Sequence, residues 1–301
     1  MKSFISFLSV TLLITCAVDP YPYELDEFEV SEDGYKCIVL GDWGRKGNTN
    51  LLANAYMMNE VACRHSIDAV LTTGDNFYGS GVESISDPLW EETFTQVFNG
   101  ACLSTVAWWP SLGNHDMGGN VGAQVAYSGI DPRWNMPAVY YDRWVTSEDS
   151  ATIHFVALNT TPLVSSDPDQ LLWLDSVLIA GEPDWLVVYG HHPVYGAEGR
   201  HGSTEELIEQ LVPRFKSHGV DVYFCGHNHS LELIRTEGRT LYVTSGAGSI
   251  PQDRIENLPT NLFGVAQAGF VLSTFTKDSL QLDFISKEGK RLYGYVSPQT
   301  L

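Results

Sequence analysis

The chain has 301 residues, and its 44% hydrophobic and 18% charged residues are typical of a globular protein with a large buried core, not of a disordered or fibrous chain. Lysine and arginine number 17 and aspartate and glutamate number 37, so the formal net charge is −20. This balance excludes the net basic face that nucleic acids and anionic membranes require, and an anionic substrate would need a site that supplies its own positive charge.

The N-terminal residues have the pattern of an export signal. Lys2 precedes an apolar run from Phe4 to Ile14 that is too short to span a bilayer comfortably. Cleavage after Ala17 fits the pattern, so we predict a signal peptide over residues 1–17 and a secreted or otherwise exported chain (extracellular, periplasmic or in an endomembrane lumen). Cys16 permits a second interpretation, a lipobox that would attach a lipid anchor. No later stretch predicts a transmembrane segment.

Residues 18–35 are acidic and contain two prolines, which predicts an extended lead-in. From residue 36 onward, short apolar runs alternate with amphipathic stretches of helical period. The predicted strands of this part are Lys36–Leu40, Asp68–Thr73, Thr105–Leu112, Thr152–Leu158, Asp184–Tyr189 and Asp221–Cys225. The predicted helices between them are Thr49–Arg64, Pro88–Phe98, Asp167–Ile179 and Ser203–Ser217.

The pattern changes after Cys225, because four strand-like runs then follow one another without a helix. They predict an antiparallel meander of Leu231–Thr236, Thr240–Ser245, Phe270–Thr276 and Ser279–Ser286. No linker divides the chain, so residues 36–301 should form one α/β domain. We expect two mixed β-sheets packed as a sandwich, with helices on the outer faces.

Four cysteines lie beyond the predicted signal. Cys37 and Cys225 fall in predicted strands, where a small buried free thiol is expected. Cys63 and Cys102 fall near the ends of predicted helices and could form a disulfide in an oxidising compartment, although sequence does not fix the pairing. Asn159 begins a formal glycosylation sequon at the end of a core strand, and the sequence leaves its modification open.

Five predicted strands end in a glycine that precedes a potential metal ligand. The motifs are Gly41-Asp42, Gly74-Asp75, Gly113-Asn114, Gly190-His191 and Gly226-His227-Asn228-His229. Ligand sites in α/β sheets lie beyond the carboxyl ends of strands, so these side chains can converge in one crevice. One such motif could equally be a turn or a helix cap. Five in the same frame favour a metal site, whose carboxylate, amide and imidazole groups suit first-row cations.

The ordered motifs resemble those of the calcineurin-like metallophosphoesterases, and within them the small, tartrate-resistant type of purple acid phosphatase. The similarity runs from about Lys36 to the C-terminus, so residues 36–301 would be the catalytic domain. Most of the superfamily has a histidine two residues after the first aspartate, where this chain has Gly44. The purple subgroup instead takes a tyrosine ligand after the second aspartate, and Tyr78 occupies that place.

The resemblance implies a cofactor of Fe(III) plus a divalent metal, which would be iron, zinc or manganese. It implies a ferric site of Asp42, Asp75, Tyr78 and His229 and a divalent site of Asp75, Asn114, His191 and His227, with Asp75 as the bridge. It also implies in-line attack of a metal-bound hydroxide on a phosphate ester. His115 matches a family histidine that stabilises phosphoryl oxygens or protonates the leaving group, and His201 matches a second, although Gly199-Arg200 adds a residue before it.

We therefore expect a secreted acid phosphatase acting on small phosphate monoesters, with phosphoproteins and nucleotides as further candidate substrates. Two alternatives stay open: a phosphodiesterase or nucleotide-cleaving enzyme on the same metal pair, and a non-catalytic metal- or phosphate-binding protein. His115 favours an enzyme, because binding a metal does not require it. We expect a monomer with no nucleic-acid partner. Arg45 and Lys46 could meet an anionic substrate, but we favour a solvated loop for both, and we assign His192 to the pocket lining.

Overall fold

Apolar strands pair into two β-sheets in the computed structural model, which describes residues 21–252 and 254–299. The predicted signal peptide over residues 1–17 and the alternative lipid site at Cys16 lie outside these ranges. The strands are β1 Tyr35–Leu40, β2 Ala69–Thr73, β3 Ala107–Ser111, β4 Tyr141–Thr146, β5 Thr152–Ala157, β6 Trp185–Tyr189, β7 Val222–Cys225, β8 Leu231–Arg235, β9 Leu241–Ser245, β10 Asn261–Val265, β11 Gly269–Phe275, β12 Ser279–Ser286 and β13 Arg291–Pro298. The α-helices are α1 Thr49–His65, α2 Val121–Tyr127, α3 Thr160–Leu163, α4 Pro168–Leu178 and α5 Glu205–His218.

The first sheet has six strands in the order β13-β12-β11-β1-β2-β3. Strands β1, β2 and β3 are parallel neighbours, whereas β11, β12 and β13 extend the sheet in antiparallel pairs from β1. The second sheet has seven strands in the order β10-β8-β9-β7-β6-β5-β4, with β5, β6, β7 and β9 parallel. Because parallel strands end at the same edge, each sheet presents several carboxyl ends together.

Successive side chains along the strands of the second sheet point alternately into two separate cores. Trp185, Val187 and Tyr189 of β6 belong to the larger core, which also contains the strands of the first sheet and helix α1. Leu186 and Val188 of the same strand pack with helices α4 and α5 in a second core. Successive strand residues face opposite sides of a sheet, so this division places one sheet against the other and the helices outside. The predicted fold class is confirmed.

The C-terminal part departs from the prediction of one antiparallel meander. Strands β8, β9 and β10 join the second sheet, where β9 also pairs in parallel with β7, while β11, β12 and β13 join the first sheet. The sequence prediction missed β4, β10, β13 and the short helices α2 and α3. In place of the predicted helix Pro88–Phe98, the segment Trp90–Thr95 is π-helical.

A disulfide joins Cys63 of α1 to Cys102, the pairing that the sequence left open, while Cys37 and Cys225 are buried free thiols as predicted. The side chain of Asn159 is only 3% exposed, so its sequon is not presented to solvent. Within the described residues, every helix is too short or too polar to cross a bilayer. Residues 21–34 form no helix or strand, and Arg64 ties this segment to the domain through the carbonyls of Leu25 and Asp26.

Candidate metal centre

The site lies where the carboxyl ends of β1, β2 and β3 meet those of β6 and β7. Each of these strands is followed within two residues by a glycine and then by a polar side chain. Gly113 shows why glycine is needed, because a Cβ there would overlap the carboxylate of Asp75. The close approach of backbone and side chain brings the polar groups of neighbouring loops into one crevice.

Three of the predicted ligands have left-handed backbone conformations. The φ angles are 58° at Asp42, 51° at Asp75 and 64° at His227. Such values are uncommon outside glycine, although aspartate and histidine tolerate them better than most residues. Backbone strain of this kind clusters at functional sites, where the surrounding structure has to hold it in place.

One group of donors contains Asp42, Tyr78 and His229. The Tyr78 hydroxyl donates to Asp42 Oδ1 at 3.0 Å and lies 3.1 Å from His229 Nε2. His229 Nε2 lies 3.3 Å from the same Asp42 oxygen. Three potential ligand atoms therefore surround a single point at the end of β1.

A second group contains Asn114, His191 and His227. His191 Nε2 lies 3.0 Å from Asn114 Oδ1 and 3.2 Å from His227 Nδ1. The other ring nitrogen, His191 Nδ1, lies 2.9 Å from the carbonyl of Thr73, which can only accept, so Nδ1 carries the proton of the neutral ring. In the neutral ring, the lone pair of Nε2 faces the amide oxygen of Asn114. A bound cation would satisfy both groups, which is the fit that a metal ligand set requires.

Asp75 lies between the two groups. Its ligand atom and those of Asp42 and His191 all lie within 4.8 Å of one another, and all three residues are buried. Asp75 Oδ1 is 3.5 Å from His191 Nε2. A carboxylate has two oxygens, so Asp75 is in a position to contribute one to each group.

The electrostatics of these side chains suit a cation. Burial and then the charges of Asp42 and Asp75 raise the pKa of Tyr78, so its phenol stays neutral unless a strong Lewis acid binds. Burial and the neighbouring histidines, first among them His191, lower the pKa of His227 far below its usual range. A neutral imidazole with a free lone pair is the form that binds metals.

The two predicted catalytic histidines lie at the mouth of the site. The backbone N–H of His115 donates to Asp75 Oδ1 at 2.9 Å, and its ring Nδ1 donates to the carbonyl of Gly79 at 3.0 Å. His115 Nε2 is then free to face the site, 3.9 Å from Asp75 Oδ2. His201 is exposed, and its ring lies 4.3 Å from that of His227. Burial lowers the pKa of His201, and Arg200 lowers it further against the opposing effect of Glu198.

A cavity of about 240 Å³ opens above the donors. It is lined by Arg45, Asp75, Asn114, His115, Arg200, His201, His227 and His229. The structure therefore brings the nine predicted site residues into one region, six of them along this cavity. His192 does not line it: the ring packs 4.5 Å from that of His227, and burial lowers its pKa to about 3.

The assignment of Arg45 to a solvated loop was wrong. Its guanidinium carbon lies 3.6 Å from the centre of the Tyr78 ring, and the residue lines the cavity. Its neighbour Lys46 does face solvent and pairs with Glu92. The sequence gives no sign of this difference, because both residues belong to the same polar stretch after β1.

Two buried carboxylates that the sequence analysis assigned no role hold the loops of the site. Asp116 accepts hydrogen bonds from the backbone N–H groups of Gly113, Asn76 and Phe77 at 2.8–3.1 Å, joining the loops that follow β2 and β3. Glu198 accepts from the N–H groups of Arg200 and His201 at 2.8 and 2.9 Å. Asp116 stands two residues after the predicted ligand Asn114 and was within reach of sequence reasoning, whereas nothing in the sequence marks Glu198.

A family model described as Calcineurin-like phosphoesterase matches residues 35–231, the part of the chain that carries all five motifs. The chain belongs to the calcineurin-like phosphoesterases. Tartrate-resistant acid phosphatase type 5 of Sus scrofa is 33% identical to this phosphoesterase over 288 residues, which cover 85% of this chain and 84% of the relative. Purple acid phosphatase 17 of Arabidopsis thaliana is 31% identical, with 90% of this chain and 86% of the relative covered. The predicted resemblance to tartrate-resistant and purple acid phosphatases is confirmed.

Solved structures share the fold of this phosphoesterase at lower identity. One described as GAP50, the anchor in the inner membrane complex of Plasmodium, has a TM-score of 0.81 at 23% identity and covers 89% of this chain and 90% of its own. The purple acid phosphatase PPD1 of yellow lupin (Lupinus luteus) has a TM-score of 0.68 at 19% identity, covering 88% of this chain and 54% of its own. These likenesses concern the fold alone.

Proposed function

We propose that this phosphoesterase is an exported acid phosphatase that hydrolyses phosphate monoesters at a binuclear centre of Fe(III) and a divalent iron, zinc or manganese ion. The observation that carries the proposal is the arrangement of two donor groups around Asp75, in which Nε2 of His191 lies 3.0 Å from the amide oxygen of Asn114. Acceptors that converge without a proton between them are costly in a buried site unless a cation joins them.

The donor chemistry suggests how the ligands divide. Tyr78 belongs with the ferric ion, because only a strongly Lewis-acidic cation makes a phenolate favourable at this buried position. The ferric ligands would be Asp42, Asp75, Tyr78 and His229, and the divalent ligands Asp75, Asn114, His191 and His227. When bound, such a pair lowers the pKa of water and holds the attacking and leaving oxygens of an in-line displacement.

The residues at the mouth act on the substrate. His115 has its Nδ1 proton committed to the Gly79 carbonyl, so its Nε2 is the atom that faces the phosphate ester. In the imidazolium form, Nε2–H donates to a phosphoryl oxygen or gives its proton to the departing alkoxide. His201, whose ring lies 4.3 Å from that of His227, would stabilise phosphoryl oxygens in the same way.

The disulfide supports export. Disulfides persist in oxidising compartments and are rare in reducing ones, so the Cys63–Cys102 bond agrees with the predicted signal peptide over residues 1–17. Attachment of a lipid through Cys16 is the alternative fate of the same segment, and mass spectrometry of the N-terminus separates the two.

The test is hydrolysis of an aryl phosphate and of an aryl phosphodiester by the metal-loaded protein from pH 4 to pH 8. We expect the monoester to be the better substrate, with an optimum in acid, and activity to disappear on chelation. His115→Ala should lower kcat by ~10²–10⁴-fold, whereas His218→Asn, at the end of α5, should leave it unchanged.

Each of the other possible results would support a different function for this protein. Preference for the diester would identify a phosphodiesterase on the same residues. Metal binding without turnover of either ester would identify a non-catalytic metal- or phosphate-binding protein. Full activity after rigorous chelation would contradict the metal-dependent mechanism altogether.

A further inference from the structure

The His201 turn (residues 196–203) is a surface loop that belongs to no helix or strand. Gly199, Arg200 and His201 lie at its tip and are exposed. The buried carboxylate of Glu198 accepts from the N–H groups of Arg200 and His201, which fixes the shape of the turn from within. Because His201 lines the cavity, the distance between its ring and the donor groups has to be set by contacts outside the turn.

The start of the His201 turn is attached to the second sheet and to the segment that follows β9. Glu232 of β8 is buried and accepts from Ala197 N at 2.7 Å. Glu256 N donates to the carbonyl of the same residue, Ala197, also at 2.7 Å. Both hydrogen bonds precede His201 in the chain, so they do not hold the far side of the turn.

Asn228 attaches that far side to the loop after β7. Its side chain is fully buried, and Nδ2 donates to the carbonyl of Gly202 at 3.2 Å. Asn228 stands between the predicted ligands His227 and His229, and Gly202 directly follows His201. One hydrogen bond therefore connects the loop of two ligands to the neighbour of His201, whose ring lies 4.3 Å from that of His227.

Gly196 leaves the space that this hydrogen bond occupies. A Cβ at position 196 would overlap Asn228 Nδ2 and lie 2.7 Å from the carbonyl oxygen of Gly202. The same glycine closes the turn, because Gly196 N donates to Ser203 Oγ at 3.2 Å. A larger side chain at this position would push the donor and the acceptor apart without removing either of them.

The backbone of the ligand loop is fixed without the Asn228 side chain. His227 N donates to Asp42 Oδ2 at 2.8 Å, and Gln252 N donates to the carbonyl of His229 at 2.9 Å. The ligands on either side of Asn228 are thus held by other groups. Truncating this side chain should release the turn and leave the metal ligands in place.

We propose that Asn228 is a positioning residue that holds His201 beside His227 at the metal centre. The inference rests on the proposed function, because His201 acts there on phosphoryl oxygens. A group that is held in place before the substrate arrives loses little freedom on binding, and small displacements of such a group slow the reaction. Asn228 is fully buried, so it acts through His201 and not on the substrate itself.

The experiment measures kcat/KM for phenyl phosphate in metal-loaded Asn228→Ala and Gly196→Ala, each with His201 present and with His201→Ala. Gly196→Ala keeps the Asn228 side chain and so tests the same hydrogen bond from the other side. We expect either single change to lower kcat/KM about two- to tenfold, the effect of one hydrogen bond. In the His201→Ala background the same change should have no further effect, because Asn228 acts through the missing ring. Metal content per chain should stay at the wild-type value.

The matched control is Asn59→Ala. Asn59 Oδ1 accepts from two backbone N–H groups in the loop that contains Cys102, outside the cavity lining. This variant should lower stability and leave kcat/KM unchanged. Hydrogen exchange of the peptide over residues 196–203 adds a measurement that needs no activity. We expect faster exchange of this peptide in Asn228→Ala and Gly196→Ala, and exchange at the wild-type rate in Asn59→Ala.

Two results would overturn the inference: an equal loss of kcat/KM with and without His201, or exchange of residues 196–203 at the wild-type rate in both turn variants. A wild-type chain that hydrolyses no phosphate ester would contradict the proposed function instead. Hydrogen exchange alone would then decide the inference, because faster exchange in Asn228→Ala and Gly196→Ala, but not in Asn59→Ala, would still support Asn228 as the residue that holds the His201 turn.

Discussion

The floor and the rim of the site are built in different ways. The floor consists of the donor groups around Asp75, and Asp42, Asp75 and His191 are at most 2% exposed. These side chains follow directly on paired strands, so strand pairing fixes their positions. The rim consists of Arg45, His115, Arg200 and His201, which lie on loops at the mouth of the cavity.

Carboxylates, and not strand pairing, hold the rim loops that carry His115, Arg200 and His201. Asp116 joins the loop that carries His115 to the loop after β2, and Glu198 holds the turn that carries Arg200 and His201. Under the proposed function, the floor would hold the metals and the rim would contact the substrate. Variants of each part should therefore fail in different ways.

The largest effect is expected at the centre of the floor. Asp75→Asn keeps the side-chain size and the tolerance for a left-handed backbone, but it removes the negative charge and one of the two oxygens. We expect both metals to bind more weakly and kcat to fall beyond the roughly 10–100-fold typical of changes outside the ligand set. Metal content per chain and kcat are the measurements, with the exposed Asp278→Asn as control. Normal metal content in Asp75→Asn would contradict the bridging position.

A smaller effect is expected where floor and rim are joined. Asp116→Asn would turn an amide group toward backbone N–H donors that need an acceptor. We expect the free energy of unfolding to fall by ~1–3 kcal/mol and kcat to fall ~10–100-fold. Asp283 is an equally buried carboxylate that pairs with Arg291 in the first sheet, so Asp283→Asn should lower stability with kcat retained. Equal kcat in the two variants would contradict the positioning role of Asp116.

The rim alone is tested by Glu198→Gln, which keeps one acceptor for two N–H groups. Losing one hydrogen bond of this kind costs ~0.5–1.5 kcal/mol, so kcat/KM should fall about two- to tenfold. Metal content should stay at the wild-type value, since no floor residue moves. Glu256→Gln, an exposed neighbour that pairs with Arg254, is the matched control. Loss of metal from Glu198→Gln would show that rim and floor are not separate.

The smallest effect on turnover is expected from the scaffold. Replacing Cys63 and Cys102 by serine removes a cross-link that closes a sequence separation of 39 residues. We expect the free energy of unfolding to fall by ~2–4 kcal/mol, with kcat of the folded protein unchanged. Denaturant unfolding and kcat measured on the same preparation check both parts. A large loss of kcat in a fully folded serine variant would mean that the disulfide shapes the site.

The floor could be predicted from sequence, because the signals that place it are local. Strands β1, β2, β3, β6 and β7 are short buried apolar runs, and each was predicted to within two residues at both ends. The glycine after each run and the polar residue beyond it then located the donors. The pairing order of the sheets was not needed for this step, since parallel strand ends meet in any such sheet.

The rest depended on contacts that no local pattern records. Strand β4 was missed because Trp144 faces solvent at 42% exposure and hides the alternation of its neighbours. Strand β13 was missed because Gly294 and Pro298 interrupt its pattern. Arg45 and Lys46 are alike in sequence and differ only in whether Tyr78 or Glu92 lies beside them. The role of Glu198 depends on its hydrogen bonds to the backbone of Arg200 and His201, which the sequence does not reveal.

The most direct test of the account is metal analysis combined with the visible absorption spectrum of wild-type protein and Tyr78→Phe. The Tyr78 hydroxyl lies 3.0 Å from Asp42 Oδ1 and 3.1 Å from His229 Nε2, so it would be a ligand of the proposed ferric ion. We expect two metal ions per wild-type chain, one of them iron, and a visible band that Tyr78→Phe loses while it remains folded. A protein that takes up no metal, or whose visible band is the same in Tyr78→Phe, would contradict the central claim.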